Sequence, residues 1–342
     1  MRVSVLLATA SGTYNASHET LKDVSVFEPL AASLEAQRLP PGVSIEVVVV
    51  DSLAGQREPD AMAFLPPGTV YVRAPEEWCF KNRLRHHQAD KNAALASATG
   101  QVCYMIDDWC WFDHDPDHLA RILDYNRRGY FLGTLYDWRF GDDPDIETPF
   151  QGRDWREEDW PRGKEWLGGS DPMKPPSFGV QAYSRAAVLD IGGYDEAYDA
   201  GSGFGDLDLG IRLQVACRRK LALDKEHKIR HQRHGPQDPD VVSDDVIKCN
   251  RALYFARQRL AEGGALDPVV NKPLHPAIVE VLNSAQCMFC SAGEQCDFPY
   301  RGEVHPQFQE WLANLPNYDL RRYASALRKQ RRLRRRDDGA QA

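Results

Sequence analysis

Residues 102–108, Val-Cys-Tyr-Met-Ile-Asp-Asp, are a five-residue apolar run that stops on two adjacent carboxylates. So short a run, preceded by an alanine-rich helical stretch and Gly100, predicts a buried strand of a parallel sheet with Asp107 and Asp108 at its carboxyl end. Open α/β sheets bind ligands at that end. Carboxylate oxygens are hard ligands suited to Mg²⁺ or Mn²⁺, and phosphate oxygens usually complete the shell. Two readings follow from the residues alone: a metal-diphosphate site, or a helix-capping turn.

The preceding segments fit a parallel α/β sheet. Residues 3–8 form an apolar run that ends in Thr9-Ala10-Ser11-Gly12, small residues that would let a ligand approach the backbone. Residues 18–37 have helical spacing, stopped by Pro40-Pro41-Gly42, and residues 45–51 read as a second strand closing on Asp51. A right-handed crossover then puts Thr9 and Asp51 at one sheet edge, where Asp51 would accept a hydrogen bond from a nucleobase or ribose, or cap a turn. Residues 69–72 read as a short third strand.

No apolar stretch approaches the roughly 18 to 20 residues that span a bilayer. The first residues run straight into a strand without a full signal-peptide pattern, so a cytoplasmic location is expected. Eight cysteines without a secretory signal then read as thiols or metal ligands before disulfides.

Arg83-Leu84-Arg85-His86-His87 lies just before the alanine-rich helix of about residues 90–99, either as counter-charge for a diphosphate or as a solvated basic face. The helix opens on Lys91-Asn92 and is followed by Gly100, the apolar strand, Asp107-Asp108 and Pro116-Asp117-His118-Leu119. Over about residues 1–125 this order resembles the nucleotide-binding half of family 2 glycosyltransferases with the GT-A fold. The resemblance implies a nucleotide-sugar donor site in which Thr9, Asp51, Arg83, Lys91, Asn92 and Asp107 bind the donor and Asp108 holds the metal. Trp109 stands where the family's Asp-x-Asp has its last carboxylate, so the pattern here is Asp-Asp-x. Asp107 would then face the ribose.

Residues 130–138 read as another strand, while residues 141–176 are too irregular for a helix or a strand. Six of the eight tryptophans fall between residues 109 and 166, which argues for a folded lid or acceptor surface, or for a small satellite core. Residues 178–185 read as a strand leading into a helix. Then come Gly192-Gly193-Tyr194-Asp195-Glu196 and residues 201–213, where glycines precede a helix expected to begin near Asp206. These stretches resemble the Gly-Gly-Phe-Asp-Glu and Gly-x-Glu-Asp-x-Asp-Leu motifs of the same glycosyltransferases and their galactosyltransferase relatives. The resemblance makes Asp206 the general base and puts Gly205 where Glu is usual. Lys228-Ile229-Arg230-His231 resembles the Ile-Arg-His segment of those relatives, which makes His231 a metal ligand, with His234 as the fallback; imidazole suits Mn²⁺ better than Mg²⁺.

Beyond about residue 240 the resemblance ends. About residues 241–260 should be helical and pack on the catalytic domain. Cys287, Cys290 and Cys296 form a Cys-x2-Cys-x5-Cys cluster, and with His305 or Cys249 they would hold structural zinc or else stay as buried thiols. Residues 321–336 carry nine Arg or Lys and no acid, which leaves residues 1–320 with a balance of −15 against −8 for the whole chain. Such a tail suits a polyanionic partner, DNA bearing a hydroxylated base or an anionic lipid surface, or is a solvated end.

The expected architecture is therefore an α/β GT-A domain over residues 1–240, with a mainly parallel mixed sheet, and a helical extension over residues 241–342. The expected activity is inverting transfer of a sugar from a nucleotide diphosphate, preferably a UDP-sugar, to a hydroxyl acceptor with Mn²⁺ or Mg²⁺. A modified base in DNA, a surface polysaccharide and a lipid-linked glycan remain as acceptors. Nucleotidyl transfer is the rival enzyme class, and a nucleic-acid-binding module is the non-enzymatic rival.

Overall fold

The computed structural model describes residues 1–9, 27–51, 54–73, 87–107, 110–112, 115–137, 165–167, 180–195, 198, 203–217, 220–231, 250, 254, 257–258, 260–264 and 266–270. Nine strands among these residues form one mixed sheet: β1 (Arg2–Thr9), β2 (Ser44–Asp51), β3 (Val70–Arg73), β4 (Val102–Asp107), β5 (Cys110–Trp111), β6 (Tyr130–Asp137), β7 (Glu165–Leu167), β8 (Gln181–Ser184) and β9 (Lys220–His231). Their order across the sheet is β3-β2-β1-β4-β8-β6-β9-β5, with β7 paired to β9 off this path. The helices are α1 (Phe27–Glu35), α2 (Ala54–Phe64), α3 (His87–Ser97), α4 (His118–Arg127), α5 (Arg185–Asp190) and α6 (Gly205–Cys217).

The continuous apolar runs of β1, β2 and β4 follow from burial on both faces of the sheet. Val3, Val5, Leu7, Val47, Val49, Tyr104 and Ile106 pack with Phe27, Leu30 and Leu34 of α1 and with Leu119 and Ile122 of α4. The alternate residues Leu6, Val48, Val50, Cys103 and Met105 pack on the other face with Ala94 and Leu95 of α3, Val188 of α5 and Leu209 of α6. The strands β3, β2, β1 and β4 are parallel throughout, as expected. Antiparallel pairing begins at β8, which joins β4 to β6.

At the amino end of the sheet a carboxylate closes the packing. Glu46 accepts hydrogen bonds from the Ser4 hydroxyl at 2.5 Å and from the Thr99 amide and hydroxyl, both at 2.7 Å. Ser4 Oγ in turn accepts from the Gly100 amide at 2.9 Å. A Cβ on Gly100 would lie 2.4 Å from that oxygen and 2.7 Å from the Ser4 nitrogen, so this turn into β4 excludes any side chain.

Several elements differ from expectation. The helix expected over residues 18–37 is described only as α1, because residues 10–26 lie outside the described set. The helix α2 was not expected, and it holds Pro59 in its interior. Glu165–Leu167 is a strand inside a segment expected to lack one, because β9 supplies a partner edge. The long strand β9 itself was not foreseen, since its middle is polar. The expectation of helix near residues 241–260 agrees with helical Asn250, Tyr254, Arg257 and Gln258. No helix among the described residues is long and apolar enough to cross a membrane.

Burial alone would raise the Glu46 pKa, but the hydrogen bonds from Ser4 and Thr99 outweigh it and hold the carboxyl below its ordinary value. A depressed folded-state pKa contributes stability that is present above the unfolded value, near 4.3, and is lost as pH falls below it. Glu46→Gln should therefore lower stability at pH 7 and flatten its decline below about pH 4. Urea titrations from pH 7 to pH 3 check this; parallel curves for the two proteins would remove Glu46 from the acid response.

Candidate active site

Sheet topology brings distant residues to one edge. Thr9 is in register with Asp51, and Ala8 with Asp107, so the carboxyl ends of β1, β2 and β4 lie side by side. The strand β8 is antiparallel to both β4 and β6, and β9 is parallel to β6. Hence β9 runs in the direction of β4, and His231 at its end reaches the same edge as Asp107. There His231 is the register partner of Cys110, three residues after Asp107. The imidazole is buried and Asp107 is partly exposed.

Asp51 does not meet that edge as an open carboxylate. It is fully buried, and Arg57 of α2 donates Nε to Oδ2 and Nη2 to Oδ1, both at 2.7 Å. Nη2 of Arg57 also donates to Thr9 Oγ1 at 2.8 Å, and the Tyr71 hydroxyl donates to Asp51 Oδ2. Burial and then the Asp51 carboxylate push the Tyr71 hydroxyl pKa up. The pairing is bidentate, so the Arg57 guanidinium plane is fixed against the ends of β1 and β2. Sequence reasoning missed Arg57, which sits in a polar stretch beside Pro59 without an apolar period.

Residues in the first half of α3 and at its middle contact the second half of the chain. Lys91 Nζ, buried, donates to Asp206 Oδ1 at 2.6 Å and sits 5.3 Å from the Tyr194 ring centroid. Asp206 lies in the first turn of α6, as expected, with its side chain about one-fifth exposed at 20%. Asn92 donates Nδ2 to the Tyr194 carbonyl at 2.9 Å and accepts from the Tyr194 amide at 2.8 Å. Gly193 beside it has φ +78°, and a Cβ there would lie 2.4 Å from Asn92 Oδ1. A Cβ on Gly205 would likewise meet the Gln88 side-chain amide at 2.5 Å. Gln88 thus fills the space that a side chain at position 205 would need. The structure places Lys91 on Asp206 and Asn92 on the Gly-Gly-Tyr turn, although both were read as donor-binding.

Behind Asp206 lies a buried ion network that sequence reasoning also missed. Arg212 Nε donates to Asp208 Oδ2 at 2.7 Å, Arg257 Nη1 lies 2.5 Å from the same oxygen, and Arg257 Nη2 donates to Asp195. All four side chains are fully buried. Burial would raise the Asp208 pKa, but Arg257 and Arg212 together outweigh it and hold it below the usual carboxylate range. The available signal was Asp195 and Asp208 inside the two glycine-rich motifs.

Arg83, Asp108, Cys249, His234, Cys287, Cys290, Cys296, His305 and the basic tail lie outside the described residues. Among the described residues no group of three or more His, Cys, Asp or Glu is placed to hold a metal ion. Asp107 and His231 bring a carboxylate and an imidazole to one sheet edge, a donor set that fits Mn²⁺.

No protein-family model and no curated protein matches the sequence. Among solved structures the chain is similar to S. aureus TarS 1-349 in complex with UDP-GlcNAc, at 14% identity and a TM-score of 0.47 over 76% of this chain and 67% of that one. It is similar to a longer S. aureus TarS at 15% identity and a TM-score of 0.46, over 83% of this chain and 43% of that one. Its likeness to the mannosyltransferase PcManGT from Pyrobaculum calidifontis, in complex with GDP-Man and Mn²⁺, has 14% identity and a TM-score of 0.46 over 96% and 86%. The chain spans 66% of TarS 1-349 in its UDP complex, just under two thirds.

Asn92→Ala would remove both hydrogen bonds from Asn92 to the Tyr194 backbone in a partly buried turn, and should cost about 1–3 kcal/mol. Urea unfolding checks it; a loss well under about 0.5 kcal/mol would show that water replaces the side chain.

Proposed function

We infer that this protein is a metal-dependent glycosyltransferase that moves a sugar from a nucleotide diphosphate donor to a hydroxyl acceptor. What supports the reading is that Asp107 and His231 end their strands at one sheet edge and that Lys91 is paired with Asp206, residues quoted from separate motifs of one resemblance. The end of α3 leads to Gly100 beside Ser4 at the opposite edge, so α3 starts toward the carboxyl edge, with Lys91 as its fifth residue. On this reading Asp206 faces the edge where Asp107 and His231 end their strands.

In this mechanism Asp206 takes the proton of the acceptor hydroxyl as its oxygen attacks the anomeric carbon. The bond between that carbon and the diphosphate oxygen breaks, with inversion as the family resemblance implies. Lys91 fixes Asp206 Oδ1 and so orients the carboxylate. Asp107, Asp108 and His231 are the residues that would hold a divalent cation, Mn²⁺ in preference, which would supply positive charge for the leaving diphosphate. Arg57 holds Asp51 and Thr9 in one fixed arrangement, so whatever these two offer a donor is offered from set positions. Uridine is the preferred nucleoside. The acceptor is a polyanion, DNA with a hydroxylated base before a surface glycan, and this rests on the basic tail alone. A zinc site at Cys287, Cys290, Cys296 and His305 rests likewise on sequence spacing.

Incubation with Mn²⁺ and a panel of nucleotide sugars should release free nucleotide from one donor, and chelation should abolish the release. Asp206→Asn should lower transfer by about 10²-fold or more, the usual scale of a lost general base, with donor affinity little changed. Because that substitution removes a negative charge from beside a buried ammonium, assays belong below the unfolding temperature of the variant. Near-normal turnover of the folded variant at saturating substrates would end the role of Asp206. For the acceptor, DNA affinity in gel shifts should fall steeply as salt rises; no shift at low salt excludes nucleic acid.

A further inference from the structure

Phe204 is the sole non-glycine residue with positive φ among the described residues, at +68°. A bulky side chain rarely adopts that conformation, and where it does the surroundings hold it there. It follows Gly203, at φ +72°, and precedes Gly205 and Asp206. Its carbonyl accepts the first hydrogen bond of α6, from the Asp208 amide at 2.9 Å. The direction in which α6 starts, and with it the place of Asp206, is therefore set by a strained residue.

Three helical residues from the C-terminal part of the chain hold this strained turn. Asn250 Nδ2 donates to the carbonyls of Gly203 and Tyr198, each at 2.9 Å. The Tyr254 ring lies 5.3 Å from the Phe204 ring. Arg257 binds Asp208 and Asp195 and lies 5.4 Å from the Tyr198 ring. Spacings of four and three residues put such side chains on one side of a helix. Together they grip the chain just before Asp206 and two residues after it, while Lys91 grips Asp206 itself.

We propose that Asn250, Tyr254 and Arg257 are positioning residues that hold Phe204 at positive φ and thereby aim the Asp206 carboxylate. The segment beyond residue 240 is on this account part of the catalytic unit. The proposal rests on the reading of Asp206 as base for its kinetic consequence, though not for its structural one.

Tyr254→Ala tests it in two ways. Hydrogen exchange read on a peptide spanning residues 204–208 should quicken by at least about tenfold as the turn loosens. In transfer assays kcat should fall about 10- to 100-fold with donor KM little changed, because a base displaced by an ångström still leaves the donor site intact. Leu34→Ala, in α1 and in contact with none of these residues, serves as a control of similar stability loss. Adding Phe204→Gly to Tyr254→Ala should bring kcat to within about threefold of Phe204→Gly alone, since glycine holds positive φ without a clamp. Unchanged exchange at residues 204–208, or a kcat loss matched by Leu34→Ala, would overturn the proposal. If the wild-type protein releases nucleotide from no donor, the functional reading fails and the exchange measurement alone decides this one.

Discussion

The half of the molecule that carries Asp206 depends on four buried charges. Asp195, Asp208, Arg212 and Arg257 are each fully buried, and burying an ion costs several kcal/mol unless its partners restore what water supplied. Here the restoration is dense. Asp208 meets both guanidiniums and the Tyr198 hydroxyl, while Arg212 also donates to the carbonyls of Ile191, Gly193 and Pro268. The net stabilisation from such a network is small compared with its gross terms, because apolar residues of similar volume often do as well. Its geometric consequence is larger: it fixes the glycine turn at residues 191–195, the first turns of α6 and the segment ending at Val270 in one arrangement. The glycine turn can serve only if Gly192 and Gly193 keep positive φ, and a Cβ on Gly192 would lie 2.3 Å from the Val270 carbonyl oxygen.

The two ends of the sheet solve different problems. At the amino end Glu46, Ser4, Thr99 and Gly100 satisfy one another and leave nothing for a ligand to do. Elsewhere ion pairs hold the groups, Arg57 on Asp51 at the carboxyl end and Lys91 on Asp206 just after the positive-φ backbone of Gly203 and Phe204. Polar groups held by partners in fixed orientation are what preorganised chemistry requires. A parallel sheet produces this asymmetry by construction, since all of its crossovers return to one end before the next strand begins.

The strands β1, β2 and β4 could be read from sequence because burial on both faces leaves an unbroken apolar run. The helix α2 could not, since Pro59 breaks the pattern and its chief buried side chain, Arg57, is polar. Nor could β9, whose middle at residues 224–228 is Asp-Lys-Glu-His-Lys; pairing with β6, β7 and β5 overrides that composition. For the site, local signals placed Asp107 at a strand end and Asp206 at a helix start, while His231 was picked out by its motif alone. They said nothing of partners. That Lys91 holds Asp206 across 115 residues, or that Asn92 clasps a turn 102 residues away, follows only from the topology.

Gly205 shows how a departure from a motif can be accommodated by its surroundings. A glutamate there would have to enter space already filled by the amide of Gln88, itself buried. The atoms in the way are the far end of a flexible side chain, so a larger residue at 205 would require Gln88 to take another rotamer, whereas glycine leaves its amide where it is. The substitution at 205 and the residue at 88 are therefore one feature. Glycine at 205 lets the Gln88 amide pack directly against the start of α6, one helical turn along α3 from the lysine that pairs with Asp206.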